Sequence, residues 1–175
     1  MGHYRYPNKV RLIIGLLAED LASLEYAVKK LQIEFGVIDS QLEPILFECT
    51  NYYVAELGKA PWRTFIDFEK LIEREKLVEI KRRTNELEFE WFDGSRKVNI
   101  DPGYLTLGQF FLATTKDQRQ RVYIAHGIFM DPTLYFKNKE YHWYDWTYHD
   151  YRSSAYHNYF KAVRVKYHRQ LKLEN

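Results

Sequence analysis

The sequence holds one cysteine, Cys49, among its 175 residues. No intramolecular disulfide is available, so the fold is not a disulfide-stapled scaffold, and the expected compartment is the reducing cytoplasm. Cys49 sits between Glu48 and Thr50 beside an apolar run and reads as a packed thiol. Only eight glycines are present, and none falls in a G-x-x-x-x-G-K-[ST] or G-x-G-x-x-G string. P-loop and Rossmann phosphate cradles are thereby excluded. The five prolines form no linker, and no repeat or low-complexity segment divides the chain. No run approaches the roughly 18 apolar residues of a membrane-spanning helix. The first nine residues lack a signal-peptide pattern, so no membrane partner is expected. Charge of one sign is also missing. With 26 basic and 24 acidic residues the net charge is +2, which leaves no nucleic-acid footprint at whole-chain level. The six histidines make no H-x-x-x-H or H-E-x-x-H pair, so no metal site is expected. No G-x-S-x-G elbow is present.

Aromatic residues are abundant: 15 Tyr, 11 Phe and 4 Trp. Tyrosine packs its ring and keeps a hydroxyl for a hydrogen bond, which suits a core with polar edges, a groove or a subunit interface. Apolar residues make up 46% of the chain, enough for one folded domain of ordinary size. Residues 1–8 are expected to form an N-terminal arm, and residues 9–175 a single domain.

Val10 to Leu17 reads as a buried strand. Asp20 is placed to cap a helix whose apolar face is Leu21, Leu24, Val28, Leu31 and Phe35, ending at Gly36. Strands are expected over 42–50 and 52–57. A second helix over 73–92 carries the stripe Leu77, Ile80, Thr84, Leu87 and Trp91. Lys97 to Ile100 reads as a strand, followed by strands over 109–115, 121–124 and 127–136, the last interrupted at Asp131-Pro132. A final helix from near Ser153 buries Tyr156, Phe160, Val163, Tyr167 and Leu171. The order predicts an α+β fold with a ferredoxin-like βαββαβ start, helices on one sheet face, additional antiparallel strands and a C-terminal helix.

Chemistry-bearing residues crowd between 99 and 152. Asp101-Pro102-Gly103 carries a type II turn signature, which would lift Asn99, Asp101 and Tyr104 out of the strand. Thr114, Thr115 and Lys116, with Arg119, Arg121 and Tyr123, place hydroxyls and cations near one turn, suited to a phosphate or carboxylate. The same charges suit a solvated hairpin tip. His126, before Gly127, is a candidate general base with Asp101 or Asp131 as partner. The stretch from Trp143 to Arg152, with Trp146, Tyr148 and Arg152, offers rings for stacking on a base or sugar, or for stapling a loop to the core.

These strings resemble domain-of-unknown-function family 4416. The resemblance runs through Asn51-Tyr52-Tyr53 with Glu56 and Gly58, Thr84-Asn85, Val98 to Leu105, Ala113 to Lys116, Arg121 to Ile124 with Gly127-Ile128, and Trp146 to Tyr148 with Asp150 to Arg152. Its most specific element is Asn-Ile-Asp-Pro-Gly-Tyr-Leu. The sequence departs from the family pattern at Gln120, Asp131-Pro132 and His149. The resemblance implies Asp101, Tyr104, Lys116 and Arg121 as site residues, but no activity or cofactor. Some relatives are labelled GTP-binding, which no phosphate loop here supports. Three readings stay open: a binding module for a phosphorylated ligand, either a nucleotide or single-stranded RNA; an enzyme using Asp101 or His126 as acid/base with Tyr104 and Arg121 positioning the substrate; and a structural homo-oligomer.

Overall fold

A computed structural model describes residues 2–47, 57, 60–92 and 95–174. The first strand, β1 (Val10–Ala18), is buried along its whole length. Its side chains alternate between two cores. Leu12, Ile14 and Leu16 face one apolar cluster, and Ile13 faces another. A strand covered on both faces needs a continuous apolar run rather than an alternating one, and that is what the sequence supplies.

Helix α1 (Leu21–Phe35) starts at Asp20, whose carboxylate accepts from the Ser23 backbone N–H at 2.7 Å. That hydrogen bond lowers the Asp20 pKa. Gly36, with φ of 106°, follows the helix. Next come β2 (Ile38–Gln41), β3 (Ile45–Leu46) and the long β4 (Trp62–Ile72). Helix α2 (Lys76–Glu90) and β5 (Val98–Leu105) complete the opening. The neighbours β2-β4-β1-β5 are all antiparallel, the arrangement of a ferredoxin-like βαββαβ unit. The sheet then extends through β6 (Gln109–Thr114), β8 (Ile128–Lys137) and β7 (Val122–Ala125), with β9 (Glu140–Trp143) also on β8. A 3₁₀ turn (His149–Arg152) leads into α3 (Ser154–Glu174).

The fold corrects several expectations. Helices cover both sheet faces. α1 and α2 pack on Leu12, Ile14 and Leu16, while Tyr156, Phe160, Val163, Tyr167 and Leu171 of α3 pack with Ile13, Phe65 and Leu105 on the other side. The strand expected over 52–57 lies almost wholly outside the described residues. The third strand of the ferredoxin-like unit is β4, where Arg63 and Asp67 interrupt the apolar pattern. Finally, Asp101-Pro102-Gly103 is no turn. It runs inside β5, and Gly103 has no positive φ. A Cβ on Gly103 would lie 2.2 Å from the Phe111 carbonyl oxygen, so glycine is there to let β6 approach. The β6 ladder begins only at Gly103↔Leu112, so on that side no backbone donor is required of Pro102.

Asp131-Pro132 does not interrupt β8 either. A register shift between Phe110 and Phe111 on β6 absorbs the irregularity opposite Pro132. Two-residue turns with positive φ at both positions close the β7–β8 and β8–β9 hairpins: His126-Gly127 (50° and 75°) and Asn138-Lys139 (53° and 67°). These are the torsion signs of type I′ hairpins. In the N-terminal arm Tyr4 and Tyr6 are fully exposed, and the chain is held instead at Lys9, whose carbonyl accepts from the Tyr167 hydroxyl at 2.7 Å.

Candidate functional site

β5 and β6 touch over three residue pairs and then part. Beyond Pro102 toward the start of β5 no strand among the described residues faces its edge, and α2 takes over that role. Glu88 Oε1 accepts the Ile100 N–H at 2.6 Å, and Lys81 Nζ donates to the Ile100 carbonyl at 3.1 Å. Both side chains are buried. Buried backbone groups require partners, so these two helix residues let the strands diverge without leaving the edge unsatisfied. Burial raises the Glu88 pKa, opposed by Arg96 and Lys81. Arg96 meets Glu88 at 2.8 Å.

The divergence opens a cavity of about 230 Å³. One wall is Asn99 and Asp101 of β5 with Lys81 and Asn85 of α2, and with Arg96. The other is Leu112 to Thr114 of β6, continuing into Thr115 and Lys116. Arg121, Asp131 and Tyr148 complete the lining. The lining therefore carries four cationic side chains against two carboxylates. Asp101 is held by the Asn99 amide at 2.5 Å and by Lys81 at 3.5 Å. Asn99 in turn accepts from Arg96.

Arg121 is a clamp as well as a wall. Its Nε donates to Asp131 at 2.6 Å and its Nη1 to the Lys116 carbonyl at 2.9 Å. This ties the 115–120 segment to β8. Burial raises the Asp131 pKa, and the hydrogen bond from Arg121 opposes it. The Thr114 hydroxyl accepts the Lys116 backbone N–H at 3.2 Å, a local turn that orients the lysine.

The aromatic stretch reaches the cavity by docking on β8. Between the parts of β8 that pair with β7 and β9, two carbonyls face no strand on that side. The Trp146 indole donates to the Pro132 carbonyl at 2.9 Å and the Thr147 hydroxyl to the Thr133 carbonyl at 2.7 Å. Tyr148 is thereby brought to the rim, half of it exposed. Trp146 does not line the cavity; it stacks on Tyr144 at 4.8 Å between ring centres. Arg152 donates to the Thr147 carbonyl at 3.0 Å, which is a loop-bracing role.

Of the residues singled out in the sequence, the structure gathers Asn99, Asp101, Lys116, Arg121, Asp131 and Tyr148 at one cavity. Tyr104 is buried on the α2 side, its hydroxyl 3.2 Å from Met130 Sδ. Arg119 and Tyr123 are exposed outside the lining. His126 forms the tip of the β7–β8 hairpin and does not line the cavity with Asp101. Of the residues named for an acid/base site, Asp101 or His126 with Tyr104 and Arg121, only Asp101 and Arg121 share the lining. Lys81, Asn85 and Arg96 were not foreseen. A signal existed: Lys81 and Glu88 lie seven residues apart beside the stripe Leu77, Ile80, Thr84 and Leu87, where a fully solvated face is not available.

Beside Asp101, on the α3 face of the sheet, lies Arg63. Its side chain is 5% exposed. Its Nη1 passes over Gly15, where a Cβ would come within 3.3 Å, and Gly15 pairs with Asp101. Arg63 Nε and Nη1 have no hydrogen-bond acceptor, and Nη2 is 3.6 Å from Asp150. Burial raises the Asp150 pKa despite that cation.

Among the described residues, no group of three or more His, Cys, Asp and Glu side chains is arranged to hold a metal ion, and no helix is long and apolar enough to cross a membrane. Residues 8–167 match the family model described as domain of unknown function, DUF4416, and the chain belongs to that family. No curated protein and no solved structure matches it.

Proposed function

We propose that the cavity between β5 and β6 binds a small phosphorylated molecule, and that the protein works as a binding module in the cytoplasm. The observation that carries this reading is the excess of cationic over acidic groups on a concave, hydrogen-bonding surface: Lys81, Arg96, Lys116 and Arg121 converge with the hydroxyls of Thr114 and Thr115. Charge-assisted hydrogen bonds of this kind are the strong ones for phosphate oxygens. The buried, positively charged Arg63 beside Asp101 adds to the local potential without touching the ligand.

Size and surface narrow the ligand. A cavity of about 230 Å³ lies below the roughly 300–1,000 Å³ of drug-sized sites. Among the described residues, Tyr148 is the one aromatic in the lining, which suits a single base at most. A phosphorylated polyol or mononucleotide suits this surface better than a run of single-stranded RNA, which calls for successive stacking platforms.

A thermal-shift series tests the reading across ligand classes: inorganic phosphate, glycerol 3-phosphate, nucleoside monophosphates and short RNAs. Ligand at a hundred times its Kd adds about 2.7 kcal/mol, or roughly 5–10 °C for a domain of this size. We expect such shifts from the phosphate monoesters, with RNA adding nothing beyond its terminal phosphate. No shift with any phosphate compound overturns the proposal.

A further inference from the structure

The two ends of the nine-stranded sheet are finished differently. At one end β2 carries Asp39, paired with Arg11 and with Lys166 at 3.3 Å, and its ladder is broken by a register shift between Ile38 and Ser40. Charge is a usual protection of a sheet edge, and β7, whose ladder has a register shift too, lacks it. At the other end β7 reads Val122-Tyr123-Ile124-Ala125. It has no charge and no proline. Val122 is 56% exposed, Tyr123 59% and Ile124 37%, so apolar side chains are bare on both faces of the strand. Its outer backbone edge pairs with no strand among the described residues. The His126-Gly127 hairpin turn holds the strand against β8, so the edge is presented in extended form. A register shift between Tyr123 and Ala125 leaves Ile124 without a partner on β8.

We propose that β7 pairs antiparallel with β7 of a second copy of this chain across a twofold axis, joining two sheets into one. A copy of this strand is the partner that its chemistry fits. An antiparallel edge is complementary to itself about a twofold axis, and an uncharged strand meets no like charge in its copy. The register that pairs all four residues sets Val122 opposite Ala125 and Tyr123 opposite Ile124. An aromatic side chain then faces a β-branched one in both directions, a favourable cross-strand pair. The same register brings His126 of the second copy opposite Arg121, which lines the cavity. The dimer axis therefore runs beside the candidate site.

Sedimentation velocity on the full chain over a concentration series tests this. The wild-type chain is expected to sediment at twice the mass of one chain and to dissociate on dilution. Tyr123→Lys and Ile124→Lys put a charge on the edge and are expected to give monomers with unchanged circular dichroism. A wild-type chain that stays monomeric at the highest concentration overturns the proposal, whatever the variants do. So does a dimer that survives both lysine substitutions.

Discussion

Two buried arginines stand on the same face of the sheet and are treated in opposite ways. Arg11 donates from every nitrogen: Nε to Asp67 at 2.9 Å, Nη1 to Gln170 at 2.9 Å, and Nη2 to Asp67 at 2.6 Å and to Asp39. Asp67, fully buried, also accepts from Ser40 and from the Tyr159 hydroxyl, the latter at 3.1 Å. That half of the face is a closed network which fastens α3 to the sheet. Arg63 has a carboxylate at 3.6 Å, the rings of Phe47 and Phe65 at 5.1 and 5.7 Å, and two nitrogens with no acceptor. A buried donor left unpaired costs about 1–3 kcal/mol, more when charged. The first arginine is explained by stability. The second is held more loosely, over aromatic rings, and its charge stands beside the cavity.

Substitution by methionine separates the two. Arg11→Met strands the buried Asp67 charge, and we expect a loss of about 3–5 kcal/mol in urea unfolding, the usual cost of breaking a buried pair. Arg63→Met removes a guanidinium held by one carboxylate at 3.6 Å and by two aromatic rings, and it leaves the buried Asp150 without that cation. Its stability loss is expected to be smaller than that of Arg11→Met, because no close hydrogen bond is broken, while phosphate affinity falls. A loss at Arg63 as large as that at Arg11 would erase the distinction between the two halves.

The smallest effect concerns the 3₁₀ turn that carries the rim. His157 Nε2 lies 2.9 Å from the Tyr151 carbonyl. Burial lowers the His157 pKa below its ordinary 6.5, with the Tyr151 hydrogen bond opposing. The folded chain thus binds this proton less well than the unfolded chain does. The stability it contributes is present above about pH 6.5 and is lost as pH falls through the lowered folded value. His157→Gln is expected to flatten the unfolding free energy between pH 7.5 and pH 5 by a fraction of the wild-type slope. An unaltered slope would show that His157 is solvated as in the unfolded chain.

The same contrast explains what could be read from the sequence. Apolar periodicity located the three helices of the described residues, and the α3 stripe from Tyr156 to Leu171 is buried residue by residue. β4 escaped because its buried charges, Arg63 and Asp67, break the apolar pattern that marks a strand. Asp-Pro-Gly looked like a turn because its local preferences are those of a turn. The sheet overrides them: Gly103 admits the Phe111 backbone, and Pro102 stands where the β6 ladder has ended. His126 looked catalytic and proved to be half of a hairpin turn. Asn99, Asp101, Lys116, Arg121 and Asp131 stood out in the sequence as polar side chains among strand-like apolar neighbours, and all five line the cavity. Lys81 and Arg96 were not, since only the fold brings α2 to the gap left by β6.

The central claim is that this gap holds a phosphate, and isothermal titration of the full chain with glycerol 3-phosphate tests it most directly, wild type against Lys116→Ala. Lys116 is exposed, so its removal should leave the fold intact. The account predicts one site per chain, weakened about tenfold or more in the variant by loss of one charge-assisted hydrogen bond. No binding to the wild-type chain, or equal affinity in both proteins, would contradict it.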